Sequence, residues 1–440
     1  MEKKLGTAPY KGVRDFYPDD QAIQNYIFRV CREAAESFGY EEYGASILEP
    51  AELYEAKGNE EIVREQTYTF TDRGGRRVTL RPEFTPTFAR LLSARRKTLL
   101  LPLRWFTWGS LYRYERTQRG RTREHWQFNA DLAGVPGTAA EAEIIFLACA
   151  ILKAFGLPES AYEVRLNSRE IMNYILSDLL SLPPETAIEA ARLIDRREKV
   201  PKADFEKNLA AAVGEKNESL LLLLYSKNFE EFASRLPERE KSTAGVAEVR
   251  ELIARLEEVG IGNVRFDQTL MRGFDYYTGM VFEIFDTSAE NPRSLFGGGR
   301  YDELLSIFGA ENLPAAGFGV GDVTLRDMLK TYNLLPPPAG GPDLYLAVAG
   351  EKNLGYANDL AASLRSEGVR VAVDLSQRKI GDQLKYADKK GFLFTAVVGE
   401  EERESGRLSL KRLKDGREFA FSQTAGGEMV KEMAERLKNG

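Results

Sequence analysis

The chain has 440 residues, of which 43% are apolar and 29% are charged, and its formal net charge is −6. This length predicts two or three domains of roughly 100–200 residues each, and no apolar run approaches the ~18–20 residues that a membrane-spanning helix needs. No secretory signal pattern opens the sequence, so we expect a cytoplasmic protein that does not bind a membrane. A net negative charge gives no general indication of nucleic-acid binding, although phosphate contacts depend on local patches of charge.

The sequence contains two cysteines, Cys31 and Cys149, and a single histidine, His125. Each cysteine lies within an amphipathic pattern, which argues against a disulfide framework or a thiolate metal site. One histidine excludes a histidine-rich metal centre, so no metal ligands are assigned. His125 is either a substrate contact or a structural residue at the base of a loop, and no nucleophile motif accompanies it.

The first part of the sequence mixes helical and alternating patterns. Apolar spacing over 21–40 predicts a helix that ends at Gly39. Two alternating segments, 66–71 and 77–81, are joined by a turn signal and predict a β-hairpin. The other expected elements are an extended stretch over 45–54 with Pro50, a second hairpin within 111–131, a helix over 138–155 and a strand over 162–167. Antiparallel strands with flanking helices indicate an α+β core.

The later part of the sequence changes character twice. From 169 to 256, helical segments are separated by charged and proline-marked breaks, which predicts a mostly helical insertion. Strand patterns return over 257–335, so this segment and 1–168 are expected to form one core. A run rich in proline and glycine over 336–343 is the clearest linker. Beyond it, strands alternate with helices over 344–440, which predicts a separate α/β domain.

The second hairpin is the most informative segment because its tip is rich in arginine. On its second strand, Gln127, Asn129 and Asp131 lie on one face, opposite an apolar face, while Arg113 and Glu115 share a face of the first strand. Such a hairpin is suited to hold a polyanion beside a small polar molecule, and a nucleotide with a second substrate fits best. The alternative is a solvated loop that keeps a sheet edge soluble. The arginines are Arg113, Arg116, Arg119, Arg121 and Arg123.

Two further clusters carry polar side chains at close spacing. Glu83 and Thr85 face the same way on an extended segment and can bind an ammonium group, the alternative being a solvated turn. The run over 270–283 is strand-like and contains adjacent tyrosines. Because consecutive side chains of a strand point to opposite faces, at most one of Tyr276 and Tyr277 is expected to enter a given pocket.

Two glycine-rich segments, 296–302 and 316–322, follow in the same part of the chain. Glycine-rich turns before a helix can cradle phosphate on backbone N–H groups. Neither segment matches the established nucleotide-binding spacings. A tight strand–helix junction is the favoured interpretation for 317–321.

Together these segments resemble the histidyl-tRNA synthetases, a family of class II aminoacyl-tRNA synthetases, over nearly the whole chain. Arg-Gly-Phe-Asp-Tyr-Tyr-Thr-Gly at 272–279 and Gly-Gly-Gly-Arg-Tyr-Asp at 297–302 are similar to the two histidine-specific signatures. The hairpin at 111–134 resembles the second class motif, and the region around Pro50 resembles the first, dimer-forming motif. Residues 12–18 are similar to the family's N-terminal segment, and residues 380–387 are similar to part of its anticodon-binding domain.

The resemblance implies a class II fold: an antiparallel sheet flanked by helices, with a helical insertion and a C-terminal α/β anticodon-binding domain. It implies an aminoacyl-tRNA ligase that activates L-histidine with ATP and Mg²⁺ and transfers histidine to the 3′ end of tRNA(His). It also implies a cytoplasmic homodimer. The alternative is a non-catalytic, histidine-sensing paralogue that acts as a regulatory subunit of ATP phosphoribosyltransferase.

The resemblance also implies roles for particular side chains. Arg113 and Arg272 would be the catalytic residues at the α-phosphate of ATP. The other ATP-binding residues would be Glu115 at the adenine side and Arg121 with Arg123 at the outer phosphates. The histidine-binding residues would be Glu83, Thr85 and Gln127 at the amino and carboxylate end of the substrate, and Asp131, Tyr277 and Tyr301 at its imidazole.

Two positions depart from the pattern of most members. Asp131 stands where most carry glutamate, and the third motif reads Gly321-Asp-Val-Thr324 where most have Gly-Leu-Glu-Arg. The arginine that this chain lacks would clamp the γ-phosphate of ATP. Arg326 lies two residues farther on, about 200° around a helix, and is not expected to substitute directly. We interpret the change as a trait of one branch of the family.

Overall fold

The computed structural model describes residues 5–56, 65–116, 121–197, 200–271, 276–288, 290–291, 294–336, 341–422 and 428–438. The chain divides into two compact units, Met1–Pro336 and Pro337–Gly440. No helix among the described residues has both the length and the apolar composition that a membrane crossing requires.

The first unit is built on two sheets. Its strands are β1 (Glu41–Glu42), β2 (Leu48–Pro50), β3 (Tyr68–Thr71), β4 (Arg77–Leu80), β5 (Leu103–Tyr112), β6 (Glu124–Ala133), β7 (Tyr162–Ser168), β8 (Val264–Phe266), β9 (Met280–Asp286), β10 (Ser294–Arg300) and β11 (Ala315–Gly321). The eight-stranded sheet has the order β1-β5-β6-β11-β10-β9-β7-β8, with parallel outer pairs and antiparallel pairs between them. A small antiparallel sheet has the order β2-β4-β3.

Helices cover one face of the large sheet and extend beyond it. They are α1 (Pro18–Ser37), α2 (Glu52–Glu55), α3 (Thr85–Arg95), α4 (Ala139–Ala154), α5 (Arg169–Asn173), α6 (Pro184–Asp195), α7 (Lys202–Val213), α8 (Asn217–Leu224), α9 (Phe229–Ser234), α10 (Glu240–Glu258) and α11 (Asp322–Thr331). A π-helical turn, Tyr174–Leu179, follows α5.

The main core lies between the sheet and the pair α1 and α4. Ile27 of α1 and Ile144 of α4 are fully buried together with Phe128 and Phe318, which point from neighbouring strands. Proline at the first position and Asp19 in the first turn suit the start of α1, since this end of a helix tolerates a missing N–H and favours negative charge. On the opposite face, α3 packs on part of the sheet, where Phe88 contacts Trp105 of β5, and polar side chains occupy another part.

The segment between β7 and β8 is helical, as predicted. Its helices α6 to α10 bury their own apolar side chains, among them Phe205 and Phe232, in continuity with the main core. Phe229 and Phe232 contact the ring of Phe266 on β8, with centroids 4.8 and 5.0 Å apart. Aromatic contacts of this kind fix the helices against the edge of the sheet.

The second unit has its own sheet and core. It contains β12 (Leu344–Val348), α12 (Leu354–Ser366), β13 (Val371–Val373), α13 (Ile380–Lys389), β14 (Phe394–Val398), α14 (Glu400–Ser405), β15 (Arg407–Arg412), β16 (Glu418–Ser422) and α15 (Glu428–Lys438). Its strand order is β13-β12-β14-β15-β16, and only β13, β12 and β14 run parallel. The predicted α+β class is confirmed.

One local prediction was wrong: Thr85 is not on an extended segment but is the first residue of α3. The favoured interpretation of 317–321 as a strand–helix junction is confirmed, because β11 ends at Gly321 and α11 begins at Asp322. Neither glycine-rich segment forms a phosphate-binding turn, since β10 and β11 pair along their length. Glycine is needed there for close approach: a Cβ on Gly298 would lie 2.6 Å from Cβ of Phe318. Real side chains do not pack this closely.

Candidate active site

A cavity of about 850 Å³ opens on the face of the large sheet that the core helices leave free. We call it the main cavity. Four residues that are cross-strand partners on neighbouring strands line its base. They are Asn129 on β6, Gly319 on β11, Gly297 on β10 and Glu283 on β9. The two glycines carry no side chain, so the middle of the base is open to a ligand.

The polar face predicted for β6 lines this cavity. Gln127 and Asn129 are both lining residues, and the Gln127 amide donates a hydrogen bond of 2.6 Å to Oδ1 of Asn129. Phe128 points to the opposite face and is fully buried in the core. The alternation predicted for this strand is therefore present, and Asn129 joins the site although no role was assigned to it.

Asp131 and Tyr301 lie behind the cavity wall rather than in it. The Tyr301 hydroxyl donates to Oδ1 of Asp131, and the two residues are 1% and 0% exposed. Burial raises the pKa of Asp131 to about 7, against the opposing effect of the Tyr301 hydrogen bond. Its other oxygen, Oδ2, has no hydrogen-bond partner among the described residues. Gly317, which lines the cavity, covers the pair, and a Cβ there would collide with both side chains.

Glu83, Tyr276 and Tyr277 form a second polar group in the main cavity. Glu83 is 2% exposed, and the hydroxyl of Tyr276 donates to its Oε2 at 2.9 Å. Burial, reinforced by the Glu83 charge, holds the pKa of Tyr276 well above its usual range. Thr85 lines the same part of the cavity.

The prediction that at most one of the two adjacent tyrosines enters a pocket was wrong. Both line the main cavity, and their ring centroids are 5.0 Å apart. The reason is local: β9 begins only at Met280, so the alternation of a strand does not apply to Tyr276 and Tyr277. The ring of Tyr277 also lies 6.3 Å from that of Tyr301, which connects this group to Asp131.

Three of the predicted hairpin residues line the cavity. They are Arg113, whose Nε donates to the carbonyl of Pro82 at 2.9 Å, and the pair Glu115 and Arg121, 3.5 Å apart. A guanidinium held by a backbone carbonyl keeps a defined orientation, which suits it to bind phosphate oxygens.

Arg123 is placed differently from the prediction. Its guanidinium lies 3.8 Å from the centroid of the Tyr114 ring, donates to the Tyr10 hydroxyl at 3.0 Å, and does not line the main cavity. Arg123 precedes β6, which begins at Glu124, and its guanidinium packs against the rings of Tyr10 and Tyr114. Arg119 and Arg272, the latter a predicted catalytic residue, lie outside the described residues.

His125 also lines the cavity, and so do Val323 and Thr324 in the first turn of α11. Burial and the charges of Arg113 and Arg14 lower the pKa of His125 to about 3, so the imidazole is neutral at physiological pH. Of the two interpretations of His125, the structure supports a residue that faces a ligand. A neutral ring can contact a base without adding charge.

Glu283 is a lining residue that sequence reasoning quoted without assigning a role. A carboxylate among the otherwise apolar residues 280–285 of β9 is the signal that could have identified it. Among the described residues, no group of three or more potential protein ligands could hold a metal ion. Mg²⁺ commonly uses one or two carboxylates together with substrate phosphates, and Glu283 is one carboxylate of the cavity lining.

Comparison with known proteins identifies relatives of both units. A family model described as histidyl-tRNA synthetase matches residues 12–323, and one described as anticodon binding domain matches residues 343–435. The histidine–tRNA ligase of Leptospira biflexa is 38% identical over 98% of this chain and 99% of its own length.

Two solved structures extend the comparison. The histidyl-tRNA synthetase of a Nostoc species shares the fold over 99% of this chain and 100% of its own, with a TM-score of 0.80 and 21% identity. A Bacillus halodurans protein described as an ATP phosphoribosyltransferase regulatory subunit/histidyl-tRNA synthetase gives a TM-score of 0.75 and 26% identity over 91% of this chain and 99% of its own.

Proposed function

Because this chain belongs to the histidyl-tRNA synthetase family, we propose that it activates L-histidine with ATP to histidyl-adenylate and transfers the histidine to the 3′ end of tRNA(His). The observation that carries the proposal is the composition of the main cavity. Glu83, suited to an ammonium group, and Arg113 with Arg121, suited to phosphate oxygens, line one cavity. An amino acid and a polyphosphate can therefore be held side by side.

The histidine half of the cavity would recognise both ends of the amino acid. Glu83 and Thr85 would bind the α-amino group, with Tyr276 orienting the carboxylate of Glu83, and Gln127 would hold the polar end of the substrate. At the far end, Asp131 has one oxygen held by Tyr301 and one free to accept an imidazole N–H.

Tyr277 lies between these two ends and would bound the imidazole pocket together with Tyr301. A site built on a buried carboxylate rejects amino acids that cannot donate a hydrogen bond to it. Polar sites of this kind discriminate by ~10⁴ or more, so a separate editing site is not required.

The ATP half would contain Arg113, Glu115 and Arg121. The histidine carboxylate attacks the α-phosphorus in line, the bond to the bridging oxygen breaks, and pyrophosphate leaves. The nucleophile is already ionised, so no protein base is needed. Arg113 would neutralise charge that develops on the α-phosphoryl oxygens, which positioned cations do efficiently. Arg272 would act at the same phosphate.

Mg²⁺ would bind together with the phosphates of ATP. Glu283, a carboxylate of the cavity lining, would hold it together with ATP oxygens, and the ion would supply additional charge neutralisation on the outer phosphates. Arg121 would contact the same phosphates, and Glu115 would lie at the adenine side. The position of Arg123 among tyrosine rings supports a role in shaping the hairpin instead of a phosphate contact.

We also propose roles for the segments outside the cavity. Residues 1–168 and 257–335 would form the catalytic core, with 169–256 contacting the acceptor stem of the tRNA. Beyond the 336–343 linker, residues 344–440 would bind the anticodon, which the family match to residues 343–435 supports.

A cytoplasmic homodimer is the proposed assembly. Strand β2, near Pro50, lies at the edge of the small sheet and leaves Ile47 and Leu48 41% and 43% exposed. A second copy would cover these apolar side chains.

The test of the proposed function is charging of a tRNA(His) transcript with labelled histidine, compared with a transcript of another specificity. We expect the tRNA(His) transcript to be charged and the other transcript to remain uncharged. The regulatory paralogue predicts histidine binding without charging, and its support is limited to a structural neighbour at 26% identity.

A further inference from the structure

The first turn of α11 directs no cation toward the main cavity. Thr324 stands where most family members have an arginine, and its hydroxyl donates to the carbonyl of Gly321 at 3.2 Å. Arg326, on the same helix, donates to Asp20 at 2.6 Å and is not a lining residue of the cavity. Among the described side chains of α11, none therefore supplies the charge that this motif usually provides.

The same turn contains a buried acid that replaces an apolar residue of the usual motif. Asp322 is 1% exposed and uses both carboxylate oxygens. Oδ2 accepts from Arg14 at 2.8 Å, and Oδ1 accepts from the backbone N–H of Trp126 at 2.9 Å. Trp126 stands between His125 and Gln127, which both line the main cavity. Asp322 therefore fixes β6 at the point where it passes the cavity.

Arg14 belongs to an N-terminal segment that follows the base of the arginine-rich hairpin. The carbonyl of Gly12 accepts from the N–H groups of Arg123 and Glu124 at 2.7 and 3.2 Å. About three quarters of the Arg14 side chain is buried. Its charge compensates that of Asp322, because a buried carboxylate without a partner is strongly unfavourable.

Arg14 also acts on the cavity through its charge. After burial and Arg113, it is the next cause of the low pKa of His125. The ion pair thus joins three elements, because Arg14 lies in the N-terminal segment and Asp322, at the start of α11, accepts from Trp126 on the second strand of the hairpin.

On the basis of the proposed function, we propose that the Arg14–Asp322 ion pair organises the ATP half of the main cavity in place of the usual third-motif arginine. Arg14 is a positioning residue, because it holds Asp322, which contacts β6, and does not line the cavity. The pair keeps His125 on one side and Val323 with Thr324 on the other at the spacing that ATP requires.

The experiment is histidine-dependent ATP–pyrophosphate exchange on the full chain. The variants are Arg14→Ala, Arg14→Lys, Asp322→Asn and the double variant Arg14→Ala/Asp322→Asn. Arg326→Ala is the matched control, since it breaks an ion pair of similar length between the same helix and the N-terminal region, away from the cavity. KM for ATP and KM for histidine are measured separately, with melting temperatures for every variant.

Arg14→Ala and Asp322→Asn are each expected to raise KM for ATP roughly tenfold, with KM for histidine changed less than about twofold. The KM of the double variant for ATP should not exceed that of the more impaired single variant, because the two residues act as a unit. Arg14→Lys should recover part of the loss, and Arg326→Ala should change neither constant by more than about twofold.

The proposal is overturned if Arg14→Ala behaves like Arg326→Ala, or if both KM values rise together. Should Arg14→Ala fail to fold, Asp322→Asn, which keeps the side-chain shape, decides by the same criteria. A wild-type protein without exchange would refute the proposed function alone. The ATP-dependent rise in melting temperature, compared among the same variants, then tests the ion pair independently.

Discussion

The hydroxyl of Tyr301 donates a hydrogen bond to Oδ1 of Asp131, and both side chains are buried behind Gly317. Oδ2 of Asp131 has no partner among the described residues. The carboxylate is therefore oriented by one contact and available for another. This relationship supports the proposed role of Asp131, which is to accept a hydrogen bond from a donor such as an imidazole N–H.

Replacing Asp131 by asparagine should weaken histidine binding selectively. The substitution keeps the shape but removes the charge and one acceptor oxygen, so KM for histidine is expected to rise roughly 10–100-fold. KM for ATP should change less than about twofold, since the ATP half is separate. Exchange kinetics with each substrate varied in turn measure both constants. Equal changes in KM for histidine and KM for ATP would mean that Asp131 supports the fold and does not contact histidine.

Asp131 should also make stability depend on pH. Its folded pKa is raised to about 7 by burial, whereas an unfolded chain holds aspartate near about 3.9. The folded state retains a proton between these values, so this stabilisation is present below about pH 4 and is lost as the pH rises through about 7. Relative to Asp131→Asn, wild type should lose roughly 2–3 kcal/mol between about pH 5 and pH 8. Urea unfolding at a series of pH values measures the free energy of unfolding of both proteins. The prediction is refuted if this free energy changes with pH in the same way in wild type and in Asp131→Asn.

Gly317→Ala should disrupt the histidine pocket. Its Cβ would collide with Asp131 and Tyr301, so either that pair separates or β11 shifts. We expect a loss of roughly 2–3 kcal/mol in stability and a large rise in KM for histidine. Gly321→Ala on the same strand is the stability control, because its Cβ would meet only the Thr324 hydroxyl at 3.8 Å. Thermal unfolding measures the loss of stability in each variant. Similar losses in Gly317→Ala and Gly321→Ala would contradict the packing described.

Arg113→Ala should reduce the rate of exchange by about 10²–10³. The reason is that its guanidinium lines the cavity in an orientation fixed by the carbonyl of Pro82. Arg116→Ala is the matched control, since this exposed arginine of the same hairpin does not line the cavity. Initial rates of ATP–pyrophosphate exchange at saturating substrate concentrations compare the two variants. Comparable losses in both would mean that the hairpin contributes only its overall charge.

Periodicity predicted the part of the site that lies on a regular strand. Gln127 and Asn129 line the cavity and Phe128 enters the core, because β6 is continuous over ten residues. The class of fold followed from the same alternation and from the spacing of the helices. Motif resemblance added residues that alternation alone could not select, such as Tyr301, which contacts Asp131.

Prediction failed where backbone geometry is irregular or where contacts span most of the chain. Tyr276 and Tyr277 precede β9, so strand parity did not apply to them. The glycines of β10 and β11 allow close packing between strands, and no local pattern indicates which side chains they meet. The Arg14–Asp322 ion pair joins residues 308 positions apart, and no local pattern indicates such a contact.

The most direct test of the central claim is ATP–pyrophosphate exchange with each of the standard amino acids, on wild type and on Arg272→Ala. The account predicts exchange that requires histidine and that collapses in the variant. Such a result would establish adenylate formation by a chain that lacks the usual third-motif arginine. A wild-type protein that binds histidine but catalyses no exchange would contradict the account and favour the regulatory paralogue.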